Sequence, residues 1–161
     1  MSTLEFAIQM EVEGQRYYKE QAKKNKDSEI SRAFLLLAEA EKEHEQLLTK
    51  SLNKEEYILK SDNSLTNIKT VFQGLKDYKT DNYDSSIQLD VYRLAVEIEE
   101  KSVELYKELL ENADNDKDKL LFEFLLKEEN EHIILFDELV KLVNRPKEWV
   151  ESPEFGLRED Y

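Results

Sequence analysis

Apolar side chains recur every third or fourth residue along most of this chain, the spacing that lays one stripe along an α-helix. Four long stretches carry it. The first runs from about Thr3 to Lys24, with Leu4, Ala7, Glu11, Gly14, Tyr18 and Ala22 facing inward and Ser2 or Thr3 as the N-cap. The second runs from about Ser28 to Leu52, with Phe34, Leu37, Ala38, Glu41, His44 and Leu48 on its stripe. The third runs from about Ile87 to Asn112 and presents Tyr92, Ala95, Glu99, Ser102, Tyr106 and Leu109. The fourth runs from about Asp116 to Val143 and presents Phe122, Leu125, Glu129, His132, Phe136, Leu139 and Val143. Arg145-Pro146 is expected to stop it.

The connections set the topology. Asn25 to Asp27 and Ala113 to Asn115 are short polar turns that suit antiparallel neighbours. The link over about 53–86 is long, and a structureless loop of that length is unusual in a compact domain. Within it SLTNIKTVFQGLK places Leu65, Ile68, Val71 and Leu75 at helical spacing, which predicts a short extra helix. The tail RPKEWVESPEFGLREDY holds both prolines and the only tryptophan. It reads as an extended arm over 146–161 whose Trp149 and Phe155 pack on the bundle or on a partner subunit. Residues 1–145 are then one bundle.

The two halves repeat. AIQMEVEGQRYYKEQA from Ala7 aligns with AVEIEEKSVELYKELL from Ala95, and AFLLLAEAEKEHEQLL from Ala33 aligns with LFEFLLKEENEHIILF from Leu121; both offsets, 95 − 7 and 121 − 33, are 88. Glu-rich helices resemble one another through composition alone. Composition does not place the only two histidines, His44 and His132, on that same offset, each with a glutamate three residues earlier, Glu41 and Glu129. Each half is therefore a helix hairpin. The expected fold is all-α: an antiparallel four-helix bundle of two hairpins joined by one long crossover.

Four glutamates interrupt otherwise apolar stripes, one per helix: Glu11, Glu41, Glu99 and Glu129. Converging inside a bundle, they cannot all stay ionised without compensation, because desolvation and mutual repulsion oppose it. No lysine or arginine shares these stripes. Two divalent cations would balance four carboxylates, and the imidazoles of His44 and His132 would complete the set. A Glu-x-x-His pair puts both groups on one helix face, one turn apart. Glu41 and Glu129 can then bridge two ions, His44 and His132 each hold one, and Glu11 and Glu99 close the outer sides. Mixed carboxylate and imidazole ligation suits iron, or manganese, better than calcium or structural zinc. A lone histidine on an apolar face would read as a satisfied core residue; six residues in this pattern read as a di-metal site.

Composition narrows the function. The 161 residues carry 37 acidic and 23 basic side chains, a net charge of −14. Such a surface repels phosphate, so neither nucleic acid nor an anionic membrane is an expected partner. The absence of cysteine excludes disulfides, thiol catalysis and cysteine-bound iron or zinc. No apolar run is long enough to span a membrane, and the opening MSTLEFAIQMEVEG lacks a signal-peptide core, so a cytoplasmic protein is expected.

These residues resemble the ferritin-like superfamily and, within it, the rubrerythrin group. The stretch from Ala7 is similar to that group's first ligand helix, a Glu followed seven residues later by Tyr; EKEH and ENEH resemble its two Glu-x-x-His helices, and WVESPEF its tail. The resemblance implies that Glu11, Glu41, His44, Glu99, Glu129 and His132 bind two iron ions. It places Tyr18 and Tyr106 just outside them, as hydrogen-bond donors or redox-active phenols; read without it, both are core aromatics. It implies reduction of hydrogen peroxide or dioxygen, and a homodimer. Two departures follow. Without cysteine the chain has no rubredoxin-type iron, so electrons must come from a separate donor, rubredoxin-like or a flavoprotein. Rubrerythrins also carry a further ligand glutamate one turn after the third-helix one, where this chain has Ser102, with Glu97 and Glu100 off the stripe. The site is then more symmetrical, nearer a bacterioferritin ferroxidase centre. Iron binding and storage is the alternative function; a metal-free helical scaffold and an oxygenase are the other readings.

Overall fold

The computed structural model describes residues 1–26, 28–60, 64–77 and 85–151. Five helices follow in order: α1 (Thr3–Lys24), α2 (Glu29–Leu52), α3 (Ser64–Asp77), α4 (Ser85–Glu111) and α5 (Asp116–Glu151). Each early boundary has a local cause. Ser2 accepts a hydrogen bond from the Glu5 amide at 3.2 Å and donates its own amide to Glu5 Oε1 at 2.9 Å, a reciprocal box that satisfies two otherwise unpaired donors. Ser28 caps α2 through the Ser31 amide, and Asn115 caps α5 through the Asp118 amide. At the end of α2, Lys54 enters the left-handed region with φ 58°, and the Glu55 amide reaches back to the Lys50 carbonyl at 2.8 Å.

The pairs α1–α2 and α4–α5 are the expected hairpins. Gln15 donates to Glu45 at 2.6 Å and Ser31 to the Ala22 carbonyl at 2.7 Å, contacts that run in opposite senses along α1 and α2. Helix α1 also lies antiparallel on α4, where Tyr17 donates to the Val91 carbonyl at 2.8 Å. Helices α2 and α5 share both apolar clusters and are bridged by the polar groups described below.

Two apolar clusters fill the bundle. One joins Tyr18, Phe34, Tyr92 and Phe136 with Ile68, Val71 and Phe72 of α3. Its rings stack, with Tyr18 between Phe34 and Phe136 at centroid separations of 6.0 Å. The other joins Ala7, Leu48, Tyr106, Leu121, Phe122 and Leu125. Tyr57 and Leu59 of the crossover pack against this second cluster, and α3 then covers the first. The described parts of the crossover thus lie against both clusters.

One boundary differs from expectation. Helix α5 does not stop at Arg145-Pro146 but continues to Glu151, so 146–151 are helical rather than part of an extended arm. Pro146 lacks one amide donor, which leaves only the carbonyl of residue 142 without its usual partner. No second stop signal comes until Ser152-Pro153, where the residue before a proline is pushed out of the helical region. The packing expected of Trp149 and Phe155 lies outside the described side chains. Among the described residues, no helix is long and apolar enough to cross a membrane.

Candidate metal centre

Between the two apolar clusters, each long helix turns one carboxylate inward. Glu11, Glu41, Glu99 and Glu129 are each 2% exposed or less, as are His44 and His132. The six groups that were expected from sequence to converge do converge. Their atoms form two overlapping sets: Glu11, Glu41, His44 and Glu129, and Glu41, Glu99, Glu129 and His132, each with one donor atom per residue within 4.8 Å of the others. Glu41 and Glu129 belong to both sets.

The contacts within each set are close. His44 Nδ1 lies 2.8 Å from Glu129 Oε1 and 3.4 Å from Glu11 Oε2. His132 Nδ1 lies 3.4 Å from both Glu41 Oε1 and Glu99 Oε2, and 3.8 Å from Glu129 Oε1. The two rings face each other at 6.2 Å.

None of these approaches satisfies the groups involved. Seven buried atoms have no hydrogen-bond partner: Glu11 Oε2, Glu41 Oε1, Glu99 Oε2, both oxygens of Glu129, and Nδ1 of each histidine. Buried polar atoms are normally paired, and an orphan costs about 1–3 kcal/mol, more when charged. Here the orphans all point into one small volume, and all are oxygens or imidazole nitrogens. That donor chemistry fits iron or manganese. Among the described residues, no lysine or arginine forms an ion pair with any of the six.

Without cations the cluster holds protons. Burial pushes the carboxyls of Glu41 and Glu129 well above the ordinary carboxylate range, and the negative charge of Glu11 pushes both further. Burial would lower His44, but the surrounding carboxylates, Glu11 foremost, hold it well above the usual imidazole range. Glu99 goes the other way. Burial raises it, yet the nearby His132 ring, the facing Glu129 carboxyl and the hydrogen bond from Tyr18 bring it down to about 2. Divalent cations would displace the protons that this arrangement traps.

The surroundings repeat across the two halves. Tyr18 donates to Glu99 Oε1 at 2.5 Å, and Tyr106, its counterpart at an offset of 106 − 18, donates to Glu11 Oε1. Burial and the adjacent carboxylates push both phenols well above their usual range, so both remain donors. Gly14 is buried against Glu41, where an added Cβ would come within 3.4 Å of Oε2. Ser102 is buried, while Glu97 and Glu100 are exposed, so neither of those glutamates enters the cluster.

One participant was not singled out from sequence. Glu128 Oε1 lies 3.1 Å from His44 Nε2, bridging α5 to α2. In the run Lys127-Glu128-Glu129-Asn130-Glu131 it looks like solvated surface. The only available signal was its place directly before Glu129, which turns it toward the seam between hairpins.

No curated protein and no solved structure matches the chain. The family model described as Rubrerythrin matches residues 2–140, nearly the whole bundle. A four-helix core with two Glu-x-x-His helices, a repeated hairpin and this family match together establish that the chain belongs to the rubrerythrin family.

Proposed function

We propose that the protein is a di-iron oxidoreductase that reduces hydrogen peroxide or dioxygen, with electrons delivered by a separate donor. The observation that carries this reading is the pair of overlapping donor sets sharing Glu41 and Glu129, with seven buried atoms left unpaired between them. Glu11, Glu41, His44 and Glu129 would hold one ion; Glu41, Glu99, Glu129 and His132 would hold the other. When bound, a diferrous pair supplies two electrons, which with two protons balance the conversion of one peroxide to two waters.

The protein's own groups set the conditions for that chemistry. The apolar clusters on either side shield the six groups from bulk water. Tyr18 and Tyr106 fix the outer carboxylates by donating to one oxygen of each, which leaves Oε2 of Glu99 and Glu11 aimed inward. Glu128 reaches from the partly exposed α2–α5 seam to His44 and offers a route for protons between solvent and the buried cluster.

The test is rapid mixing of anaerobically iron-loaded protein with each oxidant. Oxidation faster with peroxide than with dioxygen, and steady turnover with a reduced donor protein, support peroxide reduction. If peroxide is no faster and turnover is absent, that activity is wrong. Sedimentation in the same preparation separates the alternative. Iron storage requires a hollow shell of many subunits, whereas the enzyme reading expects a homodimer.

A further inference from the structure

The six inward groups and the tyrosines behind Glu11 and Glu99 obey the internal repeat, but the position facing His44 Nε2 does not. His44 and His132 are equivalent at an offset of 88, and so are Glu41 and Glu129. Glu128 lies 3.1 Å from His44 Nε2. The position equivalent to Glu128, 128 − 88, is Ala40, which is buried and offers His132 no acceptor. Among the described residues, the carboxylates near His132 approach its other nitrogen, Nδ1.

This difference acts on the donor atoms. Accepting a hydrogen bond from Nε2–H fixes His44 in the tautomer whose Nδ1 lone pair points inward, orients the ring and raises its basicity. Glu128 also adds a fifth carboxylate to the charge felt at the His44 position. The His44 donors are drawn closer as well, with a nearest contact of 2.8 Å against 3.4 Å for His132.

We propose that the two metal positions are unequal, that the one built on His44 fills first, and that Glu128 opposite Ala40 is the cause. Glu128 is thus a positioning residue, acting through His44. The inference rests on the di-metal reading above and concerns binding alone. Outer carboxylate partners of a metal-bound histidine are worth about 10–100-fold in affinity, which sets the expected inequality.

The experiment titrates metal-free protein with Co²⁺, which accepts the same nitrogen and oxygen donors. Paramagnetically shifted ring-proton resonances of the only two histidines are followed, assigned with His44→Ala and His132→Ala. Electrostatic repulsion between the ions weakens the second binding step in any case, so the diagnostic quantity is which histidine responds at one equivalent. In the natural protein the His44 signals should exceed the His132 signals by about tenfold or more. In Glu128→Ala the two sets should grow together, and Glu128→Gln, which keeps an acceptor, should restore most of the preference. Glu128 is partly exposed, so the substitutions leave the fold in place. Equal filling in the natural protein, His132 filling first, or an unchanged order in Glu128→Ala overturns the inference while leaving the di-metal reading intact. If Co²⁺ does not bind at two equivalents, the di-metal reading falls and the inference with it.

Discussion

Replacing Glu129 with glutamine separates the stability of the empty bundle from that of the loaded one. Glu129 belongs to both donor sets, is fully buried, and has neither oxygen hydrogen-bonded. Glutamine keeps the volume, stays neutral where the buried Glu129 carboxyl must hold a proton against Glu11 and Glu99, and brings two donors to a region crowded with unpaired acceptors. With two orphaned atoms at about 1–3 kcal/mol each and incomplete recovery, the metal-free variant should gain about 2 kcal/mol. For a chain of this size that raises Tm by about 4–8 °C. Metal reverses the order. At a hundredfold excess over Kd each site contributes about 2.7 kcal/mol, so two sites raise the natural protein by about 5 kcal/mol, or about 10–20 °C. The variant lacks a shared ligand and should gain less than about 3 °C. Differential scanning calorimetry with and without anaerobic Fe²⁺ or with Mn²⁺ reads both effects. A metal-free variant that melts below the natural protein, or one that keeps the full metal response, refutes the reasoning.

Four further outcomes are expected. The metal-free protein should lose stability as pH rises above the ordinary carboxylate range. Glu41 and Glu129 bind protons more tightly folded than unfolded, and His44 does too, so their contribution is present at low pH and fades as these groups give up their protons; the lowered Glu99, at about 2, is already ionised above the carboxylate range, and thermal melts at rising pH check the sign. Tyr106→Phe removes the donor to the buried Glu11 oxygen and should cost about 1–3 kcal/mol in urea titration, with iron still bound; no loss would mean that the contact does not matter. Lys54→Gly relieves the left-handed backbone at the end of α2 and should add about 1 kcal/mol, measured the same way. Gly14→Leu fills the space beside Glu41 and should abolish stoichiometric metal while leaving the helical circular dichroism, whereas unchanged metal content would show that Gly14 does not guard that space.

The candidate centre was legible from sequence because its residues violate a pattern. A glutamate on an apolar stripe is conspicuous, and the shared 88-residue offset ties Glu11 to Glu99 and His44 to His132 before any coordinates are known. The helix-forming segment SLTNIKTVFQGLK stood out for the same reason, since it keeps a stripe where a loop would lose it. Residues that obey a pattern are harder to find. Glu128 sits among charges and differs from them only in which helix it faces. The path of α5 beyond Pro146 depends on a balance between one missing hydrogen bond and the next stop signal, and the proline alone does not decide it.

The hairpin architecture divides the centre evenly. Glu11, Glu41 and His44 come from the first hairpin and Glu99, Glu129 and His132 from the second, so neither half on its own owns a complete set. Each hairpin can form from local contacts, but the centre exists only once the two have docked. A chain severed in the crossover would thus become a pair of fragments that the shared apolar clusters bring together and the ions lock, and metal availability would shift fragment complementation as concentration does.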